Sequence, residues 1–209
     1  MRTLETSKIP DPVASRAVRL SLVLALLMAT VGCQKAEEPA SPPVRVENAS
    51  LGVAIAALSP DDFVVTSSNG AAIELAPSAE GAVGKVSVVA GEAEIGGINL
   101  VEAVKQHKAE IVARPDGDYK GSTEYMSPLG TTFASRGRYT EDGGTVEERI
   151  IYMVHPWGDR TLKVIYTYPA AEDTQERLDA LMSGVIGELE GLPVPSEASP
   201  EPQESESAG

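Results

Sequence analysis

"GTTFASRGRYTEDGGTVEERIIYMVHPWGDRTLKVIYTYPA", residues 130–170, holds three strand-forming runs joined at two hairpin signals, "EDGG" and "HPWGDR". A two-residue Asp-Gly turn has the twist that antiparallel strands need. Setting Asp142 and Gly143 in the turn pairs Tyr139 with Val146 on one face and opposes Arg138 to Glu147 on the other, and the opposite charges favour that register. Residues 145–154 then carry Ile150, Tyr152 and Val154 on one parity and Ile151 and Met153 on the other. A strand with one wet face alternates cleanly, so this one is expected to be central and covered on both sides.

Candidate covers lie on either side in sequence. Asp173 with Glu176 reads as a capping pattern, and Leu178, Leu181, Met182, Val185, Ile186 and Leu189 form one helical stripe before Gly191 and Pro193. Upstream, Asn99 and Glu102 read as a capping box for a helix that Pro115 stops, with Leu100, Val104, Ile111 and the nearby Val101 and Val112 on one apolar stripe. Strands are expected at residues 51–58, 63–66, 73–75 and 85–90, with Asn69-Gly70 as a tight turn, and again at residues 119–126. The expected class is α+β: an antiparallel sheet with helices on both faces.

Residues 130–170 and the helix after them resemble the PsbP-like and DcrB-like family over roughly residues 73–189. The resemblance rests on element order and pattern. It implies a PsbP-like α/β/α sandwich and a non-enzymatic accessory or assembly role, with no shared active site to carry over.

The two ends of the chain have different compositions from the middle. Arg2, Lys8, Arg16 and Arg19 precede an uncharged run over residues 20–32. That run is shorter than the ~17–25 residues a membrane-spanning helix needs and matches the apolar region of a secretory signal. Thr30, Val31, Gly32 and Cys33 resemble the lipobox of bacterial lipoproteins, which implies a signal peptide over residues 1–32 and acylation of Cys33. Gln34, where an inner-membrane retention signal would place Asp, favours outer-membrane sorting with the domain facing the periplasm. Residues 33–43 read as a Pro-rich tether, residues 44–192 as one domain, and residues 193–209 as an acidic, Pro- and Ser-rich tail too poor in apolar residues to build a core.

The chain carries 31 acidic against 17 basic residues, a net charge of −14, which opposes binding to a nucleic-acid backbone. Cys33 is the only cysteine, so the domain has no thiol nucleophile and no cysteine-based zinc site. Asp116 and Asp118 around Gly117 lack the further carboxylates of a calcium loop. No metal site and no cofactor are expected. His107 borders the apolar stripe of its helix and reads as structural. His155, Trp157 and Asp159 share a hairpin tip and are the candidate protein interface. The same His and Asp with Ser127 or Ser135 would be the makings of a hydrolase, although neither serine sits in a nucleophile elbow. The sequence thus points to a membrane-tethered binding or assembly module with an envelope protein partner. A carrier or sensor of a small ligand or metal ion is the alternative, and a hydrolase the remote one.

Overall fold

Asp142 and Gly143 both have positive φ, 50° and 78°, in the computed structural model of the chain, which describes residues 40–80, 82–93 and 97–194. Their turn joins β7 (Gly130–Glu141) to β8 (Gly144–Val154), with Tyr139 opposite Val146 and Arg138 opposite Glu147 as the sequence implied. Cys33, the signal segment and residues 195–209 lie outside the described residues.

The other strands are β1 (Val44–Asn48), β2 (Val53–Leu58), β3 (Phe63–Asn69), β4 (Ala72–Pro77), β5 (Lys85–Ala93), β6 (Asp118–Ser127), β9 (Arg160–Pro169) and β10 (Leu189–Gly191). Seven of the ten form an antiparallel sheet in the order β3-β4-β5-β9-β8-β7-β6, and β1-β2-β10 form a second, smaller one. β8 is central and buried on both faces: Ile150 and Ile151, neighbours in sequence and opposite in orientation, are 7% and 1% exposed.

The two faces are closed differently. Ile151, Met153, Val164, Val86, Ile73 and Leu75 pack under the small sheet and the C-terminal helical segment, through Val53, Ile55, Leu181, Val185 and Ile186. Ile150 and Tyr152 on the other face pack against Leu100 and Val104 of α1 (Leu100–Ala113), which crosses only the β6-β7-β8 end. Helices therefore do not cover both faces, and the expected α/β/α sandwich is corrected to a predominantly antiparallel β structure with two α-helices among the described residues. A sheet supplies much of one cover, and on the other face α1 packs mainly over β6, β7 and β8, with Ile165 of β9 at the margin of its contact.

The second helix departs from its expected form for a local reason. Thr174, one residue after the expected cap, accepts the Arg177 amide at 3.3 Å, and α2 runs only from Gln175 to Leu181. Residues 182–186 widen to π-type bonding, with the Gly187 amide donating to the Met182 carbonyl at 2.8 Å, and the chain then enters β10. Gly184 and Gly187 are poor helix formers at the place where the α-helix ends. The apolar stripe survives the change, since Leu181, Val185, Ile186 and Leu189 are all buried.

α1 is capped as its sequence implied, with the Asn99 side chain accepting the Glu102 amide at 3.1 Å. It presses close to the sheet at Gly137, where a Cβ would come within 2.4 Å of the Ile111 side chain. Gly137→Ala is expected to lower stability by about 1–3 kcal/mol through overpacking. In urea unfolding, Val101→Ala on the exposed side of the same helix should stay within about 0.5 kcal/mol of the parent.

Candidate functional site

His107 sits in the apolar stripe of α1, so the helix carries an imidazole onto the sheet with no exposure to water. Ser135 on β7 and Glu148 on β8 stand on that sheet face. His107 Nδ1 is 2.7 Å from Ser135 Oγ and Nε2 is 3.1 Å from Glu148 Oε1. With Nε2–H donating to the carboxylate, Nδ1 is free to accept the serine hydroxyl proton. Ser135 Oγ also lies 3.2 Å from the Tyr119 hydroxyl.

Glu148 gathers two more side chains. The Tyr139 hydroxyl donates to Oε2 at 3.4 Å, and the Arg114 guanidinium, at the C-terminal cap of α1, is 3.5 Å away. That guanidinium stacks over the Tyr139 ring at 4.1 Å. Burial pushes the Glu148 carboxyl up, but the hydrogen bond from His107 and the charge of Arg114 outweigh it and hold the group below its ordinary value. Burial and the Glu148 charge together push the Tyr139 hydroxyl up.

Ser135, His107 and Glu148 follow the order nucleophile, base, acid, which sequence reading did not foresee. Ser135 is 1% exposed and shut in beneath α1, so no substrate carbonyl reaches its oxygen. The chain of bonds instead fixes α1 to the sheet. One signal for it stood in the sequence: a histidine three residues after Val104 and four before Ile111 lies on the buried stripe and needs polar partners from the facing sheet.

Beside this cluster the bare half of the sheet forms a trough of about 630 Å³. Ser87, Val146 and Thr167 line it, with Lys85, Arg114, Tyr139 and Glu141 around them and Glu148 below. A second hollow of about 220 Å³ shares Arg114 and Glu148 and lies along the flank of α1, between Gln106, Tyr152 and Lys163. The volume of the trough lies within the ~300–1,000 Å³ typical of binding sites, and both apolar and charged groups meet there.

The opposite face carries an ionic network. Glu147, fully buried, takes hydrogen bonds from Arg136 and, at 3.0 Å, from Arg138. Asp173 takes them from Arg136, from Arg149 at 2.9 Å and from the Tyr168 hydroxyl at 2.9 Å. Burial raises the Asp173 carboxyl, but its bonds to Tyr168 and Arg149 prevail and the net shift is downward.

The hairpin-tip residues occupy three different environments. His155 is buried, its Nε2–H donating to the Leu51 carbonyl at 2.7 Å while Nδ1 accepts from the Trp157 amide at 3.1 Å. Trp157 is half-buried and donates from Nε1 to the Leu192 carbonyl at 3.0 Å. Asp159 is exposed and paired with Arg160. Among the described residues no hydrogen bond joins His155 to Asp159, Ser127 or Ser135. No group of His, Cys, Asp and Glu among them has the arrangement of a metal site, and no helix among them is long and apolar enough to cross a membrane.

No protein-family model matches the sequence, and no curated protein matches it. Among solved structures, the Ran-binding protein Mog1p of Saccharomyces cerevisiae is similar over 73% of this chain and 97% of its own, with a TM-score of 0.50 and 13% identity. The chain shares that fold. Lower similarities are to a cyanobacterial PsbP from Synechocystis (TM-score 0.48, 12% identity, 78% and 99% of the two chains) and to LpqN of Mycobacterium tuberculosis, involved in cell envelope biogenesis (0.38, 15%, 76% and 88%).

The Glu148 and Asp173 carboxyls, held down in the folded state, contribute stability above the ordinary carboxylate range that is lost as pH falls through their folded values. Unfolding midpoints should therefore drop below about pH 4. Glu148→Gln should flatten part of that acid limb while lowering stability at neutral pH, in a urea series measured across pH.

Proposed function

We propose that the protein is a lipid-anchored, periplasm-facing module of the bacterial envelope that binds another envelope protein and catalyses no reaction. The observation that carries the reading is the trough beside α1, an open sheet face in which apolar floor and charges of both signs stand together. Lys85 and Arg114 stand with Glu141 and Glu148 around the trough, and Lys163 and Glu110 line the smaller hollow beside it, a mixture suited to a polypeptide surface. A shared fold with a Ran-binding protein is consistent with protein binding, but fold alone does not carry function. At the hairpin tip, a contact would be limited to Asp159 and the outer side of Trp157, because His155 is buried.

The lipobox-like Thr30-Val31-Gly32-Cys33 supports the anchor, and Gln34 supports the outer membrane. Two or more acyl chains hold a protein at a bilayer stably, where one gives marginal binding. Cys33→Ser is expected to move the protein from the membrane to the soluble envelope fraction, and globomycin to accumulate the uncleaved precursor. Retention of the variant in membranes would remove the anchor from the reading.

A photocrosslinking residue at Ser87, inside the trough, should capture one envelope protein in intact cells, while the same residue at exposed Val64 on β3 should not. The trough volume also suits a small ligand, the second reading. A reproducible rise in melting temperature with an envelope metabolite or metal ion, without a Ser87 crosslink, would favour that carrier, since a ligand of the native state stabilises it.

A further inference from the structure

We infer that the outer edge of β6, with the cationic cleft beside it, receives an extended acidic segment of a partner protein as an additional strand. This surface is separate from the trough: it lies at the β6 end of the sheet and on the opposite face.

β6 ends the seven-stranded sheet and pairs only with β7 among the described residues, so one row of its main-chain donors and acceptors faces outward. A bulge between Tyr119 and Gly121 interrupts the pairing, and from Gly121 to Ser127 the register runs without a break. Edges are commonly guarded by a bulge and a lysine, and here both sit at Lys120, which leaves the later half of the strand open.

That open half borders a hollow of about 290 Å³. Ser122 and Thr123 stand on one side and Leu178 and Met182 on the other, with Ile151 and the two arginines Arg136 and Arg149 between them. Four cations, Lys120, Arg136, Arg138 and Arg149, meet three carboxylates, Asp118, Glu147 and Asp173. The ionisable side chains that line the hollow itself, Lys120, Arg136 and Arg149, are all basic, on a chain whose net charge is −14. Arg136 spends Nε on Glu147 and Nη2 on Asp173, and Arg149 spends Nε on Tyr168 and Nη2 on Asp173. Nη1 of each retains donors for an incoming carboxylate.

Every second side chain of an added strand points to the arginine face. Acidic residues on that face meet Lys120, Arg136 and Arg149 across the cleft. Main-chain bonds supply affinity, and the cleft selects the charge.

The test uses the full chain and a fluorescent eight-residue peptide in which glutamate alternates with valine, at low ionic strength. Controls are the glutamine peptide and a peptide N-methylated at alternate amides. The glutamate peptide should bind about tenfold more tightly than either control, weaken with added salt, and slow amide exchange along β6. Arg136→Gln risks the fold because Arg136 holds Glu147, so Lys120→Gln is the chosen variant, expected to cost about threefold. Equal binding of the glutamine or N-methylated peptide, no binding, or indifference to Lys120→Gln would overturn the assignment. Tighter peptide binding after Glu197, Glu201, Glu204 and Glu206 are changed to Gln would give the edge to the chain's own tail, and would overturn it too.

Discussion

Glu147 and Glu148, adjacent on the central strand, point to opposite faces of the sheet, and the partners of each carboxylate tie β8 to the cover on its own side. Glu148 meets His107 and Arg114 of α1, while Glu147 meets Arg136, which reaches on to Asp173 just before α2. Three residues farther along, Ile150 and Ile151 repeat the division in apolar form. Both covers are thus tied to β8 twice, once by charge and once by packing. A buried carboxylate stripped of its cations is strongly destabilising, so these pairs fix where each cover must sit even where a purely apolar packing would be as stable.

The covers are unequal in extent, and that inequality creates the candidate site. A helix of 14 residues is about 21 Å long and about 10 Å wide with its side chains, whereas seven strands at ~4.8 Å spacing span about 30 Å. Anchored at Ser135 and Glu148, α1 lies over the β6-β7-β8 end and leaves the rest of that face to water. The bond network that could be mistaken for a catalytic relay is the cause of this placement: it buries Ser135 to fasten the helix, and the fastening leaves the trough open beside it.

The sequence carried the centre of this arrangement because local physics sets it. A positive-φ turn at Asp142-Gly143, opposite charges at Arg138 and Glu147, and apolar residues on both parities of β8 act over a few residues and leave a direct trace. The α1 cap at Asn99 is legible for the same reason. The errors lie where distant segments compete. β10 was read as the end of a helical stripe, because Leu189 is apolar at the right spacing, and only its pairing with β2 makes it a strand. That pairing, with β1, builds the second sheet that supplies one of the covers assigned to helices. At the candidate site, His107 was legible as a structural residue on the buried stripe, but its partners Ser135 and Glu148 lie 28 and 41 residues away and depend on which end of the sheet α1 crosses. Arg114 and Tyr139 carried no local signal of their meeting.

The same ties constrain how the two surfaces can communicate. Coupling between sites needs an element with two arrangements that both ligands bias. The trough and the cleft beside β6 lie on opposite faces of β7 and β8, which are paired without a break from Thr132 to Glu141, and each cover is tied to them through a buried carboxylate. Neither face offers such an element: α1 cannot slide without stranding Glu148, nor the segment before α2 without stranding Asp173 and the arginines. On the proposed reading, occupants on the two sides would therefore bind additively, and the domain would act as a rigid bridge between them, with no signal passing from one to the other.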